Sequence, residues 1–158
     1  MLKYIFTAFG LWFVLSGCLK GEDGFKCLYE PCDFVAPAIE TAAIQTYLDS
    51  NSINATKHCS GLFYIIDSLG TGVSPDACNG VSVTYTGRLT DGSVFDAGSI
   101  VIGLNQVIPG WTNGLPLIKS GGGIRLFIPP SLGYGGQAQP GIPAHSILIF
   151  DVQLHAVL

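Results

Sequence analysis

Charge is scarce in this chain: only 11% of its 158 residues are Asp, Glu, Lys or Arg, with seven basic residues against eleven acidic ones. A formal charge of −4 provides no basic surface to neutralise a phosphate backbone, which argues against a nucleic-acid partner. Signatures of nucleophilic or metal chemistry are missing too. The chain has no G-x-S-x-G elbow, no H-E-x-x-H and no phosphate loop ending in Gly-Lys-Ser or Gly-Lys-Thr, and His58, His145 and His155 are dispersed. The triple glycine 121–123 leads into a strand pattern, so it lacks the helix N-terminus that holds an anion. A zinc site on His58 and Cys59 would want CxxC pairs, which do not occur, so neither a metal nor a cofactor is expected. Beyond Leu15 no apolar run reaches the ~18 residues of a membrane-spanning helix.

What is present is a turn-rich but apolar chain, with 21 Gly and 9 Pro beside 48% hydrophobic residues. This composition describes a folded chain of one domain and a short appendage. The five cysteines are an odd set, and the N-terminus accounts for one of them. Lys3 precedes an apolar run from Tyr4 to Leu15, too short to span a bilayer and suited to a secretory signal. Leu15-Ser16-Gly17-Cys18 resembles the lipobox of bacterial lipoproteins, which implies cleavage before Cys18 and its acylation with the two or more chains that stable anchoring takes. Residues 1–17 are then signal, and the remaining 141 residues carry a formal charge of −5. Cys27, Cys32, Cys59 and Cys78 form an even set in an exported protein, read as two disulfides. Three connectivities are open; proximity favours Cys27 with Cys32 and Cys59 with Cys78, although spacing does not decide it.

The polar stretch to residue 36 reads as an acylated tether. From Pro37 to Ser50, Ile39, Ala43, Ile44, Tyr47 and Leu48 share one helical face, so a short amphipathic helix is expected, packed on the domain that follows or used for dimerisation. Residues 37–60 form this helical extension and its linker. From Gly61 the pattern becomes that of strands. Leu62 to Ile66, Val81 to Thr86, Ile124 to Ile128 and Leu148 to His155 alternate in polarity between Gly and Pro breaks, which predicts an antiparallel sheet with one buried face. Gly110 to Lys119 is the one helical stretch among them, limited by Pro116 to a turn or two.

Four segments, VSVTYTG at Val81 to Gly87, LTDGSVFD at Leu89 to Asp96, VIPGWTNGL at Val107 to Leu115 and IPPSLGYGGQAQPGIPAHSILIFD at Ile128 to Asp151, resemble FKBP-type peptidyl-prolyl cis-trans isomerases. The likeness covers residues 61–158. It implies an α+β fold in which a curved antiparallel sheet wraps around one short α-helix, with an apolar pocket between them. Trp111 would form the pocket floor, with Tyr85, Phe95, Val107, Ile108 and Phe150 as walls and Tyr134 and Ile142 contributed by an overhanging loop. Asp96 matches the family's pocket carboxylate; the Tyr134 hydroxyl and Ile108 amide match groups that hydrogen-bond bound carbonyls. The implied activity is X-Pro isomerisation in exported, proline-containing polypeptides, with a noncatalytic chaperone or peptide-binding module as the alternative. Macrolide inhibitors are further ligands the family implies. With the lipobox, the whole resembles lipid-anchored isomerases of the bacterial cell envelope, on the outer membrane facing the periplasm.

The chain departs from the family pattern at the pocket rim. Six residues lie between Asp96 and Gly103, fewer than in the common small members, and Gly98 to Ile102 stand where a rim aromatic is often found. The loop after Pro140 is about one residue shorter, and Gln139 replaces other polar residues; these changes bear on substrate preference and macrolide affinity. Mass spectrometry of the mature protein tests the anchor: the expected N-terminal peptide begins with an acylated Cys18, and an unmodified Cys18 would contradict it.

Overall fold

The structure, a computed structural model, describes residues 27–158. The proposed signal 1–17 and the lipidation site Cys18 lie outside the described residues. The first element, α1 (Ala38–Ser50), starts after Pro37 and carries Glu40 in its first turn, where a carboxylate complements the helix dipole. The two-residue β1 (Thr56–Lys57) precedes β2 (Phe63–Ser68), β3 (Gly80–Arg88) and β4 (Val94–Gly103). Then come α2 (Pro109–Gly114), β5 (Gly123–Ile128) and β6 (Leu148–Val157). All six strands lie in one curved antiparallel sheet of order β1-β2-β5-β6-β3-β4.

Strands β2, β3, β5 and β6 fall where the alternation of apolar residues puts them. The strand β4 was not expected from the sequence. Its middle, Asp96-Ala97-Gly98-Ser99, is small and polar, and its register against β3 slips at Phe95, so no period of two is visible. The expected Gly110 to Lys119 helix is confined to α2, extended by a tight turn over Leu115–Leu117. Pro116 accounts for the change, because its ring and missing N–H cannot continue an α-helix.

The main core lies on the concave side of the sheet, where Val81, Val83, Ile124, Leu126, Ile128, Leu148, Phe150, Val152 and Leu154 pack on Trp111, Leu115 and Ile118. The short helix sits close because its sheet-facing side has no side chains at two positions four apart. A Cβ at Gly110 would come 2.5 Å from Ile128, and one at Gly114 would come 2.6 Å from Leu126. The opposite face is partly covered as well, which corrects the expectation of one buried face. Ile44 and Leu48 of α1 bury Phe63, Phe127 and Ile149 in a second cluster. The helix thus packs on the domain through Thr41, Ile44 and Leu48, while Ile39, grouped with them by spacing, is 79% exposed and Ala43 also faces solvent.

Both disulfides differ from the pairing that proximity favours. Cys27 joins Cys78 and Cys32 joins Cys59, each with Cα atoms 5.7 Å apart. The reason is the path of the chain: residues 27–36 run back beside the turn at residues 58–61, and the Ala36 amide donates to the Ser60 carbonyl at 2.9 Å. His58 is drawn to the same place, with Nδ1 2.9 Å from Ser60 Oγ, while the neighbouring thiols are spent on each other. The two bridges are nested and close stretches of 51 and 27 residues. By loop entropy each stabilises the fold by about 3–4 kcal/mol. Replacing Cys27 and Cys78 together by Ser is therefore expected to lower the urea-unfolding free energy by about 3–4 kcal/mol; an unchanged midpoint would contradict the assigned pairing.

Candidate active site

Ile108 and Pro109 set the position of the site. The residue before a proline avoids the helical region, and proline is preorganised for the first helical position. Ile108 is accordingly extended (φ −59°, ψ 145°) and caps α2, with Pro109 in the first turn. This places Trp111 one turn in, over the sheet. The indole is 5% exposed and meets Tyr85 edge-on at 5.2 Å and Phe150 edge-on at 5.3 Å between ring centroids. Phe95 meets the other side of Phe150 at 5.4 Å and 84°. Edge-to-face contacts of this kind add about 0.5–1.5 kcal/mol beyond area burial and fix ring orientation.

These rings enclose a cavity of about 290 Å³, lined by Tyr85, Phe95, Asp96, Val107, Ile108, Trp111, Tyr134 and Phe150 together with Ile100, Ile102 and Gln106. Eight of the nine pocket residues named from the sequence are thus brought to one place. The ninth, Ile142, does not line the cavity. It is 6% exposed within the core, where the Gln139–Ile142 bridge turns it inward. Gly98 to Ile102 were placed at the rim, but Ile100 and Ile102 were not singled out as lining residues and Gln106 was missed; the spacing of Ile100 and Ile102 on alternate positions was the available signal, hidden because β4 itself was not recognised.

Glycine at 87 is required by this packing. On β3, opposite Asp96 and Phe150, a Cβ at Gly87 would lie 2.5 Å from Phe95 and 2.9 Å from Phe150, so any side chain there displaces the rings. Polar groups are few and specific. The Tyr85 hydroxyl donates to Asp96 Oδ2 at 2.7 Å. That bond to a carboxylate, aided by burial and by the Asp96 charge, pushes the Tyr85 phenol up to about 12. Tyr134, 40% exposed, stands on the loop after β5. Its loop is held by the Gly135 amide on the Pro130 carbonyl at 2.8 Å and the Ser131 amide on Glu40 Oε2 at 2.9 Å. At the cavity, the buried Trp111 Nε1–H and the Ile108 amide have no hydrogen-bond partner among the described residues. Buried polar groups are rarely left unpaired, so the Trp111 Nε1–H is open to an acceptor on a molecule that enters the cavity, with the amide of the half-buried Ile108 beside it. No group here is arranged as nucleophile and base.

A short helix laid across a curved antiparallel sheet, with an aromatic-walled cavity between them, defines the class of fold. The chain belongs to the FKBP-type peptidyl-prolyl cis-trans isomerase family, whose family model matches residues 72–155. It is 45% identical over 103 residues to the FKBP-type peptidyl-prolyl cis-trans isomerase FkpA of Aeromonas hydrophila, covering 62% of this chain and 38% of that one. Against FkpA of Escherichia coli K12 the identity is 46% over 100 residues, covering 60% of this chain and 37% of that one. The crystal structure of E. coli FkpA superposes with a TM-score of 0.68 at 39% identity, covering 76% of this chain and 60% of that chain. A peptidyl-prolyl cis-trans isomerase from Pseudomonas syringae gives a TM-score of 0.67 at 32% identity, covering 77% of this chain and 96% of that chain. The matched region is thus well under half the length of the curated FkpA relatives.

Tyr85 reports on the site by titration. With its folded pKa raised above that of the unfolded chain, its contribution to stability is complete below about pH 10 and is lost as pH rises toward about 12. Asp96→Asn is expected to return the phenol toward its ordinary range, measured by ultraviolet phenolate absorbance of the folded protein; a titration that stays near 12 would contradict the hydrogen bond as the main cause.

Proposed function

We propose that this protein is a peptidyl-prolyl cis-trans isomerase acting on proline-containing polypeptides outside the reducing cytoplasm. The observation that carries the proposal is the cavity itself, walled by Tyr85, Phe95, Trp111 and Phe150 and holding unspent donors at Ile108 and Trp111. Rotation about an X-Pro bond breaks amide resonance, a barrier of about 18–20 kcal/mol for a peptide bond, and unaided takes tens to hundreds of seconds. The twisted amide separates less charge than the planar one, so a dry aromatic cavity favours it over the ground state. Catalysis of this sort is differential binding and uses no covalent intermediate. In this reading Trp111 supports the proline ring from below, the Ile108 amide and Tyr134 hydroxyl hold substrate carbonyls in a turn, and Asp96 orients Tyr85. Val107 and Ile142 act less directly, Val107 as cavity wall and Ile142 by packing under the loop.

Residues 61–158 form the isomerase domain in this account and residues 37–60 its helical extension, while Cys18 carries the lipid that holds the protein to the cell envelope, on the outer membrane facing the periplasm. Two disulfides support an oxidising compartment. No helix of the described residues is long and apolar enough to cross a membrane, so the lipid would be the anchor. Macrolides would compete for the same cavity, with contacts at the rim altered by Ile100 and Ile102.

The test is a protease-coupled assay on an X-Pro tetrapeptide. The wild-type chain is expected to accelerate isomerisation, and the double variant Trp111→Ala, Tyr134→Phe to lose about tenfold or more in kcat/KM. Equal rates for the two proteins would contradict the catalytic role and leave a peptide-binding module.

A further inference from the structure

The two edges of the sheet are built differently. One edge is β1, only two residues long and ending in Lys57; a short edge strand and a lysine both discourage other chains from pairing. The opposite edge is β4, ten residues long. It contains no proline and no lysine, and Asp96 is its only charge. Val94, Ile100 and Val101 are exposed, Val101 by 65%. Among the described residues β4 pairs with β3 alone, and no hydrogen bond outside that ladder uses its backbone. A long, uncovered edge without proline or lysine presents a row of free N–H and C=O groups, the template that an extended peptide completes as an added strand.

The location of this edge says what it is for. Phe95, Asp96, Ile100 and Ile102 of β4 also line the cavity, so a strand laid on the edge would run past the cavity mouth. We propose that β4 captures the extended residues flanking the substrate proline as a seventh, transient strand, while the proline itself enters the cavity. The inference rests on the isomerase reading and adds the recognition of chain outside the proline. Recognition through backbone groups is independent of side-chain sequence, which suits a site whose substrates are polypeptides. The short connection from Asp96 to Gly103 is what makes it feasible: beyond the slip at Phe95, the strand keeps one continuous register with β3 from Asp96 to Gly103.

The experiment uses the full chain, an X-Pro tetrapeptide, and a longer X-Pro peptide matching the ten residues of β4, the latter also with single N-methyl groups moved along the residues flanking the proline. Alternate residues of a strand direct their N–H groups to opposite sides. The longer peptide is therefore expected to have a KM about tenfold lower than the tetrapeptide, equivalent to one or two backbone hydrogen bonds. N-methylation should cancel the gain at every second position only. In hydrogen exchange, alternate amides of β4 should gain protection when the long peptide is added. Equal KM values for the two peptides, with β4 exchange unchanged and the tetrapeptide still isomerised, would overturn the edge proposal and leave the isomerase reading standing. Protection of β4 that depends on protein concentration without peptide would also overturn it, by assigning the edge to a second copy of the chain. Failure to isomerise even the tetrapeptide would overturn the reading beneath it.

Discussion

The contact on which the site depends is the meeting of Phe150 with three other rings, Tyr85, Phe95 and Trp111. These side chains come from β6, β3, β4 and α2, so one cluster ties the short helix to the three strands at one end of the sheet. The cavity lies among these rings. Gly87 gives Phe95 and Phe150 their room, and Gly110 and Gly114 let the helix approach the sheet closely. Missing side chains on β3 and α2 thus set how closely the rings and the helix pack around the cavity.

The N-terminal segment supports the same region from outside. The Tyr29 hydroxyl donates to Asn113 Oδ1 at 2.8 Å, two residues from Trp111 along α2, and burial raises the Tyr29 phenol above its ordinary range. Glu40 of α1 holds the Ser131 amide at the base of the loop that carries Tyr134. Two nested disulfides fasten this segment to the domain. A stretch whose composition suggests a tether is, from Cys27 onward, fastened to the domain and braces the helix of the site, while α1 holds its loop.

Much of this was legible in sequence because it is written locally. Val81, Val83 and Tyr85 alternate on β3 and Leu148 to Leu154 on β6, so their buried faces could be read directly. Ile108-Pro109 marks the start of α2 by steric rules alone, and the family motifs named the aromatic residues that converge. What was hidden depends on chain neighbours far away in sequence. Phe127 is buried because α1 covers its face of the sheet, the disulfides follow the return path of residues 27–36, and β4 has strand structure through pairing with β3 despite small, polar residues at its centre. Ile100 and Ile102 were not singled out as lining residues and Gln106 was missed with it, and Ile142 was drawn into the cavity although its loop turns it into the core.

The central claim is that the spacing of these rings, and nothing reactive among them, performs the isomerisation. Gly87→Ala tests it most directly, since the atoms nearest the added methyl are ring carbons of Phe95 and Phe150. The measurement is kcat/KM for an X-Pro peptide at a temperature where circular dichroism shows the variant folded. The account predicts a fall of about tenfold or more; a folded variant with the wild-type rate would contradict it.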